Sequence, residues 1–390
     1  MSNEKKIVRT DWVSNFTLIG TPKINDYTYK IDEKSQKSSW IYNSLNLGID
    51  CGEKHGTIYA EMMGGYSDER ENVIFAHGKN EDGSDNFTEQ IEVDWEDRFD
   101  DSILDSIGDL SFITVGLEKT DKGKTYYKKF LSAYDAIAYI KENLTEDMVV
   151  NVKGSLKYSI YQDRTQIRKT INSIVLSSVD DPSKYKAVFT QSVLLDKESA
   201  SLKKDNIDKD KGVMYVNARV LDYVREYNGV EVKGQFPYNV QFEFVMPLDN
   251  QDTCKKIMDK VFKVKKGVTQ ITFDGELIEG GAVVTPTLED IPEDIRSLID
   301  VVYTKEEALA KCSSNGNREK RMVLTKPTVR LVGDDKIPTL QKFEEKYSED
   351  ELILDCMTKK IDDDDDDAPW DEDDAASTDT EDSDNWLDFL

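Results

Sequence analysis

The sequence contains few of the residues that usually carry catalysis or bind transition metals. Among 390 residues there are only two histidines and four cysteines, and no two cysteines form a CxxC pair. Cysteine pairs at short spacing mark most zinc sites and many disulfide frameworks, so this composition predicts a reduced chain. Cys51, His55 and His77 match no standard zinc spacing. We therefore expect no metal, no cofactor and no enzymatic activity.

Long apolar segments are absent as well. No apolar run approaches the length that a membrane-spanning helix needs. The N-terminal sequence MSNEKKIVRTDW lacks the apolar stretch of a secretion signal. These absences predict a cytoplasmic protein.

Familiar catalytic motifs are incomplete. Gly123-Lys124-Thr125 resembles the end of a phosphate-binding loop, but that loop requires a glycine at position 118, which is Glu118. The acidic run between Asp94 and Asp101 would suit Mg²⁺ in a nuclease, although its loop-like composition favours a solvated surface. A metal-dependent nuclease is therefore the weakest of the alternatives.

Negative charge is concentrated at the C-terminus. The net charge is −27, and residues 361–390 contribute −15 because they contain fifteen acidic residues and no Lys or Arg. So little apolar surface cannot offset the entropy of ordering, which predicts a disordered acidic tail. The remaining −12 disfavours general binding of polyanions, so any nucleic-acid site must be a focused basic patch.

Residues 12–335 read mainly as short strands, interrupted by two helices at 132–144 and 249–263 whose apolar residues recur at helical spacing. Before the first helix we expect strands at Phe16–Ile31, Trp40–Asp50 and Thr57–Met63. Before the second we expect Val213–Tyr227 and Tyr238–Met246, with a hairpin turn at Asn228-Gly229.

A similar strand follows each helix. The two segments, Val150-Asn-Val-Lys-Gly-Ser-Leu156 and Ile271-Thr-Phe-Asp-Gly-Glu-Leu277, share an apolar, x, apolar, charged, Gly, x, Leu pattern. Together with the element order, this predicts a mainly β protein with two OB-fold-like Greek-key barrels, each with one helix before a late strand. The expected organisation is a first barrel at 1–180 with an insertion at 67–122, a second at 185–335, a linker at 336–360 in which a short helix can form, and the tail at 361–390.

Strand alternation assigns the outward residues. In the second barrel Met214, Val216, Ala218 and Val220 should face the core, which leaves an outward set of Tyr215, Arg219, Tyr223, Arg225 and Tyr227. In the first barrel the outward set is Trp40, Tyr42, Tyr59, Lys153, Lys157 and Tyr161, with basic loops at 122–129, which include Lys128 and Lys129, and at 164–169. Aromatic rings interleaved with cations are typical of single-strand nucleic-acid binding. The alternative is that these rings pair across strands or form barrel contacts.

The two barrels are not expected to bind equally. The position that matches Lys153 in the second barrel is Asp274, so the second barrel lacks this cation on its helix-following strand.

The extreme C-terminus closes on Trp386, Leu387, Asp388, Phe389 and Leu390. A tail that only adds solubility has no use for large apolar residues. We therefore expect this segment to anchor a partner protein while the preceding acidic residues steer the encounter.

OB barrels followed by an acidic tail with an aromatic end resemble the single-stranded DNA-binding proteins of bacteria and tailed phages. The resemblance implies a protein that coats and protects single-stranded DNA in replication, recombination and repair. It also implies that the tail recruits a polymerase, helicase, primase or recombinase. The bacterial ending closes on Pro-Phe, whereas here Leu390 follows Phe389. A β-barrel protein-interaction or assembly module with an acidic tail is the alternative.

Overall fold

The computed structural model describes residues 6–162, 164–280, 319–332 and 336–358, together with Arg296, Ser297, Ile299, Thr304 and Lys305. The fold is mainly β. The strands are β1 (Ser14–Lys23), β2 (Tyr29–Lys34), β3 (Trp40–Asp50), β4 (Thr57–Ser67), β5 (Val73–Lys79), β6 (Asp85–Asp94), β7 (Ile113–Lys119), β8 (Thr125–Phe130), β9 (Val150–Tyr161), β10 (Arg164–Leu176), β11 (Lys186–Leu195), β12 (Ile207–Asp208), β13 (Val213–Tyr227), β14 (Val230–Val245), β15 (Val268–Gly280), β16 (Glu319–Pro327), β17 (Val329–Val332), β18 (Ile337–Leu340) and β19 (Lys342–Tyr347).

The helices are short. They are α1 (Asp101–Leu104), α2 (Ala133–Asn143), α3 (Gln251–Ile257), which continues as a π-helical turn at Met258–Phe262, and α4 (Asp355–Thr358). Single 3₁₀ turns lie at Trp95–Asp97, Asp109–Ser111, Pro182–Lys184, Lys204–Asn206 and Glu349–Leu352. Among the residues described, no helix has both the length and the apolarity needed to cross a membrane.

Five strands of the first half close into a ring. Going around it, β1 pairs with β3, β3 with β4, β4 with β10, β10 with β9, and β9 with β1. All of these pairings are antiparallel except β4 with β10, which run parallel at Glu61 and Thr170. The helix α2 lies between β4 and β9 along the chain. This is the strand order of an OB-fold, which is a five-stranded Greek-key barrel.

The second half repeats the same ring. Here β11 pairs with β13, β13 with β14, β14 with β16, β16 with β15, and β15 with β11. The single parallel pairing, of Glu243 with Val323, again joins the third and fifth strands of the ring. The predicted mainly β fold with two OB-like barrels, each with a helix before its fourth strand, is confirmed.

Both predicted helices are present, and each begins at a side-chain cap. Ser132 accepts a hydrogen bond from the backbone N–H of Tyr134, and Asn250 accepts one from that of Thr253. The predicted strand at Phe16–Ile31 is instead two strands. It is interrupted because Asn25 and Thr28 close a turn, in which the N–H of Asn25 donates to the Thr28 hydroxyl at 2.9 Å.

The repeated glycine has a packing role in both barrels. Gly154 of β9 pairs with Phe16 of β1, and Gly275 of β15 pairs with Phe189 of β11. A Cβ on Gly154 would lie 2.8 Å from Cε1 of Phe16, and one on Gly275 would lie 2.6 Å from Cε1 of Phe189 and nearer still to its Cζ. Both distances are shorter than van der Waals contact. The shared sequence pattern therefore reflects a strand that must let a first-strand phenylalanine lie against its backbone.

The barrels are joined through their first strands. β1 and β11 pair antiparallel from Ser14 with Gln191 to Ile19 with Lys186. Gln191 is fully buried in this seam, where its amide oxygen accepts from the hydroxyls of Ser14 (2.8 Å) and Tyr158 (2.9 Å). Its amide nitrogen donates to the carbonyl of Ser192 at 2.7 Å. A buried polar network whose groups are all paired adds rigidity and specificity.

Two further contacts fix the angle between the barrels. Asp222 of β13 is buried and accepts the backbone N–H of Tyr158 on β9 at 3.0 Å. Lys169 of β10 and Glu279 of β15 form a buried ion pair at 2.5 Å. Removing one partner of such a pair leaves the other charge buried and unpaired, which lowers the free energy of unfolding by about 3–5 kcal/mol.

The insertion between β4 and α2 has two parts. The hairpin β7–β8 extends the first barrel, because β7 runs parallel beside β10. The hairpin β5–β6 and α1 form a separate small module, here called the inserted module (67–112), with its own core of Ala76, Val93, Ile107 and Phe112. The segment 336–358, expected as a linker, contributes β18, β19 and α4, and β19 pairs with β15.

The packing of Gly275 gives a stability prediction. Gly275→Ala should lower the free energy of unfolding by roughly 1–3 kcal/mol, because the added methyl overpacks the Phe189 ring and the Val323 carbonyl. Gly280→Ala in the same strand is the matched control, since a Cβ there meets nothing within 4 Å. Urea unfolding measures both, and equal stability of the two variants would contradict the packing role.

Candidate nucleic-acid interface

Four neighbouring strands align basic side chains on one outward face. Across β9, β10, β7 and β8, the directly paired residues are Lys153, Ser173, Thr114 and Lys129. Directly paired residues share a face of the sheet, so the two lysines lie on the same side, about 14 Å apart at the backbone. The fold thus brings together two predicted residues that are twenty-four positions apart in the sequence.

A second row lies farther along the same strands. Lys157 of β9 is directly opposite Arg168 of β10. β10 and β4 run parallel, with Thr170 opposite Glu61. Two residues earlier in each strand lie Arg168 and Tyr59, which are therefore neighbours. Like charges directly opposite each other are destabilising. Each of these cations has a carboxylate nearby, Glu61 at 4.0 Å from Arg168 and Asp222 at 3.5 Å from Lys157, which offsets part of the repulsion. Both cationic side chains remain partly exposed.

Two tyrosines of this face lie over glycines of the neighbouring strand. A Cβ on Gly48 would be 3.2 Å from the Tyr59 ring, and one on Gly116 would be 3.0 Å from the Tyr127 ring. Because glycine has no side chain, each ring lies close to the backbone and turns its other side away from the sheet. Such rings are platforms on which a base can stack. We call this surface the basic sheet face, composed of Lys129, Lys153, Lys157 and Arg168 with Tyr59 and Tyr127.

Sequence reasoning missed two of these residues. The segment 164–169, which contains Arg168 and is predicted as a basic loop, lies in β10. Tyr127 lies beside the predicted lysines on β8 and is not among the predicted residues. The available signal was alternation, which puts Tyr127 and Lys129 on one side of a strand. The same alternation turns Lys128 to the other side, where its ammonium lies 4.5 Å from the Tyr139 ring centre. Lys128 is therefore not part of the basic sheet face.

Trp40 and Tyr42 occupy the far end of β3. Their rings stack on each other with centroids 4.9 Å apart and planes 17° apart, and both are half-buried. Tyr42 is six residues from Gly48, which corresponds to about 20 Å along a strand. The pair is outward as predicted but separate from the basic sheet face. Tyr161, paired with Arg164, is exposed at the end of the β9–β10 hairpin.

The second barrel pairs one of its two predicted cations, Arg219, within the chain. Arg219 contacts the carboxylates of Glu349 (2.8 Å) and Asp196 (3.3 Å). The hydroxyl of Tyr215 donates to Asp208 at 3.2 Å, and partial burial together with this carboxylate raises the pKa of Tyr215. These residues lie on the outward side, but their polar groups are already partnered within the chain.

The first barrel also covers part of this surface. Leu221 should be outward by alternation, yet it is only 1% exposed. The guanidinium of Arg9 donates to its carbonyl at 3.4 Å, and nearby the hydroxyl of Thr165 on the β9–β10 hairpin donates to the carbonyl of Asn239 at 2.8 Å. The centre of the second barrel's outward sheet is thus an intramolecular contact.

The packing of Tyr227 overturns one prediction. The pairing of β13 with β14 shifts between Val224 and Glu226, where two residues of β14, Val232 and Lys233, lie opposite Arg225, so the extra residue of this β-bulge is on β14. Tyr227 packs against the core, and its ring centre lies 4.6 Å from that of Phe236. The prediction that Tyr227 faces outward is wrong.

Tyr223 and Arg225 remain exposed, and Tyr223 is 54% exposed. The neighbouring Asp222 is buried; its carboxylate lies 3.5 Å from the ammonium of Lys157 and accepts the backbone N–H of Tyr223 at 2.9 Å. The contact between the barrels at this point is therefore made by Asp222, which lies on the opposite side of β13 from the Tyr223 side chain.

The excess negative charge of the body is confined to the inserted module. Residues 67–112 contain fifteen acidic and three basic residues, a net charge of −12, which equals the whole net charge of residues 1–360. The barrels and their connections therefore sum to zero. Lys129 marks the border, where it pairs with Asp109 of the inserted module at 2.9 Å. Since charges are screened beyond about 10 Å at 0.1 M salt, the local balance decides what binds.

The remaining predicted residues lie elsewhere. His55 is buried, and its Nδ1 lies 3.0 Å from the Leu277 carbonyl of the second barrel. Burial raises the pKa of the Cys51 thiol to about 12. Within the described part of the chain, no group of three or more His, Cys, Asp or Glu side chains is arranged to hold a metal ion. The tail anchor, Trp386 to Leu390, falls outside the described residues.

Two solved structures of the single-stranded DNA binding protein from Thermus aquaticus align with this chain. The wild-type protein aligns at 9% identity and a TM-score of 0.30, and a deletion mutant of the same protein aligns at 10% and 0.29. Each alignment covers 69% of this chain and 87% of the other. The assignment of the barrels rests on their strand order alone.

Comparison with curated proteins gives no match. A family model described as YorF matches residues 78–283, a segment that begins in the inserted module and ends just past the fourth strand of the second barrel. This segment is more than half of the 390 residues. The chain therefore belongs to the YorF family.

Proposed function

We propose that this protein binds single-stranded DNA without sequence specificity, along the basic sheet face of the first barrel. The observation that carries the proposal is the alignment of Lys153 with Lys129, and of Lys157 with Arg168 and Tyr59, on the outward sheet of an OB barrel. The face formed by the second and third strands of this fold is a common site for oligonucleotides. Tyr59 lies on the third strand, while the cations lie on the neighbouring fourth and fifth strands and on the β7–β8 hairpin that extends them. Tyr223 and Arg225 are exposed on the second barrel and would extend the path.

The chemistry of this face suits a strand of any sequence. Ammonium and guanidinium groups attract phosphates without reading bases, and each base stacked on an aromatic ring contributes about 1–3 kcal/mol. The protein would act without catalysis. It would coat and protect single strands during DNA replication, recombination or repair in the cytoplasm, in the host cell if the chain is phage-encoded.

The acidic tail gives this function a second part. Its net charge of −15 would compete with DNA for the basic sheet face, and DNA binding would release it. The apolar end, Trp386 to Leu390, would then anchor a replication or recombination protein. This competition is electrostatic, so it should weaken as salt rises.

A protein-interaction module is the second candidate, and one observation favours it. Leu221 on the outward sheet of the second barrel is buried beside Arg9, and the β9–β10 hairpin bonds to Asn239 of the same sheet, so this OB sheet already serves as a contact within the chain. The double change Tyr223→Ala and Arg225→Ala separates the two candidates. Loss of oligonucleotide binding supports the first, and loss of assembly alone supports the second.

The basic sheet face can be tested through its salt dependence. Lys153→Ala should weaken binding to poly-dT and lower the slope of log K against log salt by about 0.7, because one phosphate contact is lost. Fluorescence titration at several salt concentrations measures both quantities. Lys184→Ala is the control, since Lys184 is an exposed lysine on the connection between the barrels. An unchanged slope for Lys153→Ala would remove this face from the proposal.

The inequality of the barrels gives a second test. Tyr59→Ala should reduce the affinity for a dT oligonucleotide by about 1–3 kcal/mol, the contribution of one stacked base. Tyr215→Ala should change it little, because Tyr215 hydrogen-bonds Asp208 on the internally paired second barrel. Anisotropy titrations compare the two, and thermal melting checks that both variants fold. A larger loss for Tyr215→Ala would place the strand on the other barrel.

The tail makes a third prediction. Deleting residues 361–390 should tighten binding to single-stranded DNA at low salt and have little effect at high salt, because it removes an electrostatic competitor. The same deletion should abolish recruitment of the tail partner. Affinity that stays equal to that of the full chain across the whole salt titration would show that the tail does not compete.

A further inference from the structure

The outer side of the inserted module carries large exposed apolar side chains. Its inner side packs on its own core of Ala76, Val93, Ile107 and Phe112, so the side chains on the other side of the β5–β6 hairpin are not needed for that core. Three large apolar residues are nevertheless exposed there: Phe75 (65%), Phe87 (72%) and Leu110 (72%). Exposed apolar clusters of this kind mark contact surfaces more often than chance surface residues do.

A hydrogen-bonded frame holds two of these residues in place. His77, on the same side of β5 as Phe75, lies 2.7 Å from the carboxylate of Asp85 through Nε2 and 2.9 Å from the hydroxyl of Ser111 through Nδ1. The Phe87 ring lies on the His77 ring with centroids 4.7 Å apart. The N–H of Leu110 donates to the same Asp85 oxygen at 2.8 Å. The apolar residues are therefore mounted rigidly, which lowers the entropy cost of a contact.

The rim of this surface is acidic. On the paired strand, Glu92 is directly opposite Phe75, and Asp94 is directly opposite Val73. The inserted module as a whole carries −12. A complementary surface must therefore combine cations with aromatic or apolar side chains.

The basic sheet face is such a surface, and within one molecule the inserted module meets it at its edge, where Asp109 pairs with Lys129 at 2.9 Å. The inserted module is also fixed against α2 by the ion pair of Arg98 with Asp135 at 2.8 Å, and the Arg98 guanidinium lies 4.1 Å from the Trp95 ring centre. The Trp95 ring in turn packs on those of Tyr66 and Tyr134. In this position Phe75 and Phe87 stay exposed, so they are not packed on the face of their own molecule.

We propose that the inserted module of one molecule docks on the basic sheet face of a second copy of this chain. The contact is head-to-tail, so it can propagate into longer assemblies. Single-stranded DNA would compete for the same face and dissolve the assembly. The inference shares this face with the proposed function, but it holds even if the physiological ligand of the face is not DNA.

Sedimentation velocity at low salt tests the proposal with the full chain. The wild-type protein should self-associate, and the double change Phe75→Ser and Phe87→Ser should weaken self-association by about tenfold or more, the scale expected for aromatic anchors. Leu331→Ser is the matched control, because Leu331 is a similarly exposed apolar residue (62%) on the β17–β18 hairpin. Thermal melting verifies that each variant folds.

The face variants and DNA distinguish this idea from the proposed function. Lys153→Glu with Arg168→Glu should abolish self-association. Phe75→Ser with Phe87→Ser should leave the affinity for a dT oligonucleotide unchanged at protein concentrations where the wild type is monomeric. If Lys153→Glu with Arg168→Glu abolishes self-association but the wild type binds no oligonucleotide, the proposed function is wrong and the docking is supported. The docking itself is overturned if the wild type remains monomeric up to about 100 μM. It is also overturned if Leu331→Ser, not the phenylalanine pair, disrupts assembly.

Discussion

The antiparallel pairing of β1 with β11 is the constraint on which the other features of this molecule depend. It sets the first strands of two OB barrels side by side and buries Gln191 between them with its hydrogen bonds complete. A polar group at such a position disfavours other registers, because a shift would leave it unpaired in an apolar interior. The seam therefore fixes two barrels of the same topology in one relative orientation, reinforced by Asp222 and by the Lys169–Glu279 pair.

This orientation explains why equivalent sheets have become unequal surfaces. On the second barrel Leu221 is buried beside Arg9, and Asn239 accepts a hydrogen bond from Thr165 of the β9–β10 hairpin. Arg219 is paired with two carboxylates. The first barrel's own outward sheet is widened by the β7–β8 hairpin, which adds Lys129 and Tyr127. The seam also sets Lys157 of the first barrel 3.5 Å from the buried Asp222 of the second.

Charge is partitioned in the same way. An overall charge of −27 would by itself repel anions from every face of the molecule. The structure shows that the negative excess of the body belongs to a module with a separate core, attached beside the basic sheet face. Opposite charges on distinct surfaces of one molecule keep the barrels neutral overall, and they give each surface a different class of ligand.

The sequence by itself determined the fold class, the two helices and the glycine in each fourth strand, because periodicity and local packing leave direct traces along the chain. It also located the outward Lys153, Lys157 and Tyr223 by simple alternation. Only the tertiary structure decided which outward residues act together. Tyr227 packs on Phe236 although alternation turns it outward, and Leu221 is buried beside Arg9, a residue more than two hundred positions away in the chain. The row from Lys153 to Lys129 exists only through strand register, which is a property of pairing between distant segments and not of either segment alone.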